Sequence, residues 1–230
     1  MAPALSPHHP AEAPANPAPK RPRGRPRKTL DERDDGNRRQ QLLAAAARLF
    51  REQGFDATST RDIAAAVGMH SGSPFYHFKS KGALLFAVME AGMHAALARQ
   101  ARAFEGAGTD AMAAPDASTA RMQMHRLIRA HFDTLLGPGN DFVPVMLYEH
   151  RALNAVQRAG LTQLQSDYEA AWTPVLQALH ASGQLRAPVK LARLLLLGAL
   201  NWSVQWFDRS KGASLDELTD AAMVLFFREC

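Results

Sequence analysis

The stretch that decides the fold runs from Thr60 to Phe78 and reads TRDIAAAVGMHSGSPFYHF. Ile63, Ala64 and Val67 recur at helical spacing, with Thr60 as the expected N-cap and Gly68 as the expected C-terminal glycine. That predicts a short helix. After Gly68-Met69-His70 a second helix must begin, and Pro74 limits where, because proline is tolerated only in a first helical turn. With Ser71 as N-cap, Pro74 falls at the third helical position, where its missing N–H has no intrahelical partner anyway. Two short helices joined by a tight turn form a helix-turn-helix, whose second member enters the major groove while the first crosses the phosphate backbone.

Working upstream, Leu42, Leu43, Ala46, Leu49 and Phe50 lie on one stripe of a helix expected from Asn37, with Gly54 placed to stop it. Downstream, Ser80 can cap a longer fourth helix carrying Leu84, Leu85, Val88, Met89, Ala95 and Ala96 to about Phe104. Residues 105 to 117 read as a loop. Five further helices are predicted at about 118–136, 142–157, 161–182, 188–209 and 214–228, the last opening on a capping box, Ser214-Leu215-Asp216-Glu217. Pro174 should kink or break its helix near Ala170 to Trp172. With no strand-like alternation of useful length, the expectation is an all-α chain of about nine helices. It divides into a Pro/Ala-rich basic tail (1–36), a three-helix DNA-binding domain (37–82, helix-turn-helix 60–79) and a C-terminal helical domain (83–230).

The charge distribution agrees. The 230 residues carry a formal charge of +5. Residues 1–28 alone hold Lys20, Arg21, Arg23, Arg25, Arg27 and Lys28 against Glu12, together with eight of the fourteen prolines and no Phe, Tyr or Trp, a composition that predicts disorder. Residues 38–81 are also basic, whereas 82–230 nearly balance. A basic N-terminal third on a near-neutral remainder suits a polyanion-binding module. The apolar run Leu194 to Leu200 is far short of the ~20 residues a membrane span needs, so no membrane partner is expected. The N-terminus lacks a secretory pattern, and the lone Cys230 excludes an internal disulfide and a Cys-X-X-Cys pair. A cytoplasmic, nucleoid-associated protein without a cofactor is expected. No Gly-x-Ser-x-Gly elbow, phosphate-cradling Gly-Lys loop, His-Glu-x-x-His or cysteine nucleophile organises catalysis, so an enzyme is not expected.

The expected DNA face comprises His70, Ser71, Gly72 and Ser73, whose small side chains allow close approach to base edges, with Thr60, Arg61, Tyr76, His77, Lys79 and Lys81 for phosphates. Phe75 joins that face or, like Phe78, packs in the core; Lys79 and Lys81 read equally as solvated surface.

The run from Arg38 to Leu85 resembles the N-terminal domain of the TetR family of bacterial transcriptional regulators. The resemblance rests on Ala46, Phe50, Gly54, Phe55, Thr58, Thr60, Asp62, Ile63, Ala64, Gly68, Gly72, Phe75, His77, Phe78, Lys81, Leu84 and Leu85. Two residues depart from the pattern. Pro74 replaces an aliphatic residue, and Phe75 replaces the tyrosine that meets phosphate, a contact Tyr76 could take over. Arg23-Gly24-Arg25-Pro26 resembles an AT-hook core, in which Arg23 and Arg25 would lie in an A·T-rich minor groove; the other reading is a tail that merely attracts phosphate.

The resemblance implies a homodimer that binds a palindromic operator in double-stranded DNA and is released by a small-molecule effector. One face of the helix from Leu191 carries Leu191, Leu194, Leu195, Gly198, Trp202 and Trp206; another carries Leu196, Leu197, Leu200, Val204 and Phe207. Two apolar faces imply two partners, or else a helix wholly buried in a monomer. The expected dimer face is Leu196, Leu197, Leu200 and Val204 with Leu218, Ala222, Leu225 and Phe226. Candidate ligand residues are His131, Met146 and His150 on apolar stripes, and Tyr168 and Trp172 at the helix break; each reads equally as core packing. His125, His131, His150 and Glu149 lack the i, i+4 pairing that would suggest a metal. Gly198 to Trp206 resembles the corresponding segment of family members that sense acyl-CoA thioesters, so a small apolar ligand, lipid-like or acyl-CoA-like, is expected. The alternatives are an effector-independent architectural protein on A·T-rich DNA and a transcriptional activator.

Overall fold

The computed structural model describes residues 30–69, 74–105, 116–137, 139 and 141–228. Its α-helices are α1 (Leu30–Gln53), α2 (Thr60–Ala66), α3 (Pro74–His77), α4 (Lys81–Ala103), α5 (Ala117–Leu136), α6 (Phe142–Glu149), α7 (Ala155–Ala170), α8 (Trp172–Ala181), α9 (Val189–Trp202) and α10 (Leu215–Phe226). No strand occurs among the described residues. Arg23 and Arg25, and His70 to Ser73, lie outside them, as does the side chain of Phe75.

Local chemistry accounts for the boundaries. α1 begins at Leu30 rather than Asn37 and takes in the acidic segment Asp31 to Asp35, a composition suited to the positive end of a helix dipole. It ends at Gly54, whose φ of +84° is the left-handed conformation glycine adopts without strain. The cap of α2 is Ser59, not Thr60. Ser59 Oγ accepts from the Asp62 backbone N–H while the Asp62 carboxylate accepts from the Ser59 N–H, a reciprocal box that Thr60, one residue on, cannot build. α3 is described from Pro74 onward; the expected N-cap Ser71 and the two positions before Pro74 lie outside the described residues.

The predicted helix 142–157 ends at Glu149. A single 3₁₀ turn, His150–Ala152, follows, and Asn154 and Gln157 form a capping box that starts α7 early. The break expected near Ala171 is present, with Pro174 at the third residue of α8, where it forfeits no helical bond. These divisions raise the helix number above nine.

Helix α4 is apolar and long enough to cross a membrane by length and composition, yet it lies at the centre of the bundle. It packs on α1, α5, α6 and α7, burying Leu84, Leu85, Val88, Met89, Met93 and Ala96. The core runs from Leu42 and Phe50 of α1 through α4 and α5 to Trp172, Leu176 and Leu179 of α8 and Met223 of α10, without interruption between the N-terminal helices and the rest.

Candidate nucleic-acid interface, effector cavity and dimer face

The DNA-binding end is built from α1 to α3. Ile63 and Ala64 of α2 and Phe78 after α3 are buried, and the Arg39 guanidinium lies 5.1 Å above the Phe78 ring. Phe78 is therefore core. Tyr76 stands out, 79% exposed and edge-on to the half-buried His77; Arg61 of α2 and Lys79 after α3 are exposed too. Thr60 sits half-exposed at the first position of α2.

Lys81 has partners inside the protein. Its Nζ donates to the carbonyls of Phe55 (2.8 Å) and Thr58 (3.0 Å) and lies 4.2 Å from the Phe55 ring centroid. A cation so occupied is an internal clamp on the α1–α2 turn. The same turn is held twice more. Thr58 Oγ1 donates to the Gly54 and Leu49 carbonyls, and the Phe55 backbone N–H donates to Glu149 Oε1 at 3.1 Å. A fourth tie, Arg51 to Asp141 at 2.7 Å, joins the end of α1 to the start of α6. Helices α4 and α6 thus grip the DNA-binding end from the C-terminal side.

The same two helices line a cavity of about 110 Å³, bounded by Met93 and Ala96 of α4, His131 and Thr134 of α5, Met146 and Leu147 of α6, Gln165, Tyr168 and Glu169 of α7, and Leu197 and Asn201 of α9. Of the expected ligand residues, His131, Met146 and Tyr168 are brought together here. His150 is not: it lies exposed on the 3₁₀ turn after α6. Trp172 is fully buried behind the wall, edge-on to His131 at 5.7 Å. Sequence reasoning missed Asn201, although its spacing of four from Leu197 puts both on one helical face.

His131 lies between two partners, Nδ1 at 2.7 Å from Tyr168 Oη and Nε2 at 3.1 Å from Asn201 Oδ1. Burial lowers its pKa from 6.5 to about 4, and burial raises that of the Tyr168 phenol, so both are neutral near pH 7. The neutral ring carries one N–H. Because Nε2 faces a carbonyl oxygen, it must donate there, and Nδ1 accepts from the Tyr168 hydroxyl. Among the described residues no group of three metal-ligating side chains gathers; His125 instead pairs with Asp220 at 2.9 Å.

The two apolar faces of α9 are assigned opposite to expectation. Leu196, Leu197 and Leu200 are buried in their own subunit, as is Ala222 of α10, while Val204, Leu218 and Phe226 pack partly against that core. The four buried residues therefore face inward, and the other three are only partly open to the outside. Exposed instead are Leu191, Leu194, Leu195 (66%), Trp202 (63%) and Trp206, joined by Val224 and Leu225 (80%) of α10. Leu195 and Leu225 line one groove with Ala192 and Phe226, so the two helices share a continuous apolar surface. Leu225 alone of the expected set keeps a fully exposed place in it.

Two short helices at one end, a partly open cavity in the bundle and an apolar face on the last two helices suit one class of protein, an all-helical DNA-binding regulator. Comparison with known proteins gives the family. Residues 42–88 match the model for "Bacterial regulatory proteins, tetR family", and residues 117–230 that for "Tetracyclin repressor-like, C-terminal domain". The HTH-type transcriptional repressor KstR2 of Rhodococcus jostii is 29% identical over 182 residues, 78% of this chain and 84% of that protein. The crystal structure of the superantigen PfiT is 37% identical, covers 84% of this chain and 97% of that one, and superposes with a TM-score of 0.66. AibR in complex with isovaleryl coenzyme A and operator DNA shares the fold at 24% identity and a TM-score of 0.69, over 83% of this chain and 98% of that one. The chain belongs to the TetR family and is a DNA-binding transcriptional regulator.

Proposed function

We propose that the protein is a homodimeric repressor, acting on the nucleoid in the cytoplasm, that leaves a palindromic operator when a small, largely apolar effector enters the cavity between α4, α5, α6, α7 and α9. The carrying observation is that α4 and α6 do two things at once. They line the cavity through Met93, Ala96, Met146 and Leu147, and they hold the α1–α2 turn through Lys81 and Glu149. An effector that favours a different spacing of α4 and α6 then favours a different setting of the helix-turn-helix, and differential affinity of ~1–3 kcal/mol is enough to empty an operator.

Docking through the exposed stripe of α9 and α10 would give two reading heads on successive major-groove faces, roughly 34–36 Å apart or a multiple. Arg61, Tyr76, His77 and Lys79 are the described residues proposed to meet DNA, with Thr60 at the start of α2. Residues 70–73 and Phe75 are proposed for the base edges, and Arg23 and Arg25 for the minor groove. The acyl-CoA-bound AibR supports an acyl compound as one candidate effector. Mapping the genomic fragments retained by the purified protein, followed by footprinting, tests the reading. A protected inverted repeat is expected; protection spread evenly over A·T-rich DNA would favour the architectural alternative instead.

A further inference from the structure

The cavity's lining also restricts what it can hold, and the following rests on the effector-binding reading above. Among its described lining residues the single charged one is Glu169, which is anionic and paired with Arg193 Nη2 at 3.2 Å; none is cationic. The other Arg193 contact, Nη1 to Thr173 Oγ1 at 3.2 Å, points to the outer groove at the α7–α8 break, which Glu169 shares with the cavity. A carboxylate or phosphate entering the cavity would face Glu169, while the nearby cations are already engaged, Arg193 on Glu169 and Arg99 on the Asp133 carbonyl (3.1 Å) and the Thr134 hydroxyl (3.3 Å).

Of the uncharged polar groups on the lining, the Thr134 hydroxyl is used on the Ala130 carbonyl and the Gln165 amide lies 3.9 Å from Met146 Sδ; the rest is the relay described above, and it runs one way. Tyr168 O–H donates to His131 Nδ1, and His131 Nε2–H donates to Asn201 Oδ1. The relay ends on the Asn201 amide NH₂ at the cavity wall, where its N–H groups have no acceptor among the described residues. Asn201 is thus a donor awaiting an acceptor, set in a wall otherwise made largely of Met93, Ala96, Met146, Leu147 and Leu197. The volume is below the ~150 Å³ of a cavity known to take benzene, so it holds about four to five non-hydrogen atoms, and a ring-sized ligand must extend toward its open side.

We propose that the part of the effector inside the cavity is compact, uncharged and carries one carbonyl oxygen, a ketone, ester or thioester, which accepts a hydrogen bond from the Asn201 amide held in place by His131 and Tyr168. A free carboxylic acid in its ionised form is excluded by the same lining.

Three probes of similar size separate the possibilities: cyclohexanone, methylenecyclohexane and cyclopentanecarboxylate, each titrated calorimetrically into the full-length protein and into Asn201→Leu. Cyclohexanone should bind about tenfold more tightly than methylenecyclohexane, the worth of one net hydrogen bond, and at least about tenfold more tightly than the carboxylate. In Asn201→Leu the ketone's advantage should fall below about threefold while methylenecyclohexane binds as well as before or better, a pattern that a collapsed cavity would not give. Carboxylate binding equal to or tighter than ketone binding overturns the carbonyl assignment and leaves the cavity reading standing, as does a ketone advantage that survives Asn201→Leu. If none of the three binds at 10 mM, on the order of the weakest affinity worth naming, both readings fall together.

Discussion

Replacing Lys81 by methionine separates the internal clamp from a phosphate contact. The substitution keeps the apolar stem but removes an ammonium that donates to the Phe55 and Thr58 carbonyls and sits over the Phe55 ring. A hydrogen bond to a charged group contributes about 1.5–3 kcal/mol and a partly exposed cation–π contact about 0.5–1. Since Lys81 is only half-buried and water can replace it at the carbonyls, the lower end applies, a loss of about 2–3 kcal/mol. At about 2–4 °C per kcal/mol for a chain of this size, Tm should fall by about 4–12 °C. Operator affinity would drop because the turn that carries α2 loosens, yet the dependence of log K on log salt should keep its slope, no phosphate contact having been lost. Lys79→Gln should do the reverse, leaving Tm within about 1 °C and reducing the slope by about 2, since a dimer carries two copies. Melting curves and anisotropy titrations between 50 and 200 mM salt, roughly the range over which such slopes are resolved, decide it. A Lys81→Met protein with unchanged Tm and a shallower slope would refute the clamp.

Three further outcomes follow from the geometry. Burial lowers His131 to about 4 from 6.5, so between those values the unfolded chain takes up a proton that the native protein refuses; stability is complete above about pH 6.5 and declines as pH falls, by about 3 kcal/mol at pH 4. Urea midpoints of His131→Phe should lose that portion of the acid sensitivity, and an unaltered profile would argue against a neutral buried ring. Leu195→Glu combined with Leu225→Glu should give a folded monomer by light scattering, with native circular dichroism and operator affinity reduced at least about a hundredfold, whereas Leu197→Glu should misfold because it buries a charge. Removing residues 1–29 should lower affinity and flatten the salt slope while sparing preference for the operator; near-total loss of binding would transfer the function to the tail.

What the sequence could disclose divides along a physical line. Local rules decided most elements: a glycine at Gly54, a proline confined to a first turn at Pro174, a capping box at Ser214 and Glu217, a period of 3.6 in α1 and α4. Where two local solutions compete over one residue's difference, as between Ser59 and Thr60, only the partner three residues on discriminates, and Asp62 answers to Ser59. The faces of α9 were a different problem. A helix apolar on two sides states that it has two partners but not which is its own core, and that order depends on α5 and α8 arriving from elsewhere in the chain. The content of the outward face did hold a clue, since Trp202 and Trp206 are the side chains that interfaces favour, while the inward face carries Asn201 and Ser203 to meet a cavity and a buried turn.

The internal partners of Lys81 were illegible for the same reason, and they bear on the function. A lysine after Phe78 and just inside a helix start is a fair phosphate ligand on local grounds. It becomes a clamp only because the turn from Gly54 to Thr58 folds back beneath it, and that turn is fastened from both sides, by Lys81 of α4 and by Glu149 at the end of α6. Neither fastening would be needed merely to fold α1 onto α4, which their apolar faces already achieve through Leu42, Phe50, Leu84 and Leu85. Two polar ties on one turn, from the two helices that also wall the cavity, restrict the angle of α2 more than they add to the core. A tie of that kind holds the helix-turn-helix in one setting while α4 and α6 keep their spacing, and transfers any change in that spacing to the side chains facing DNA.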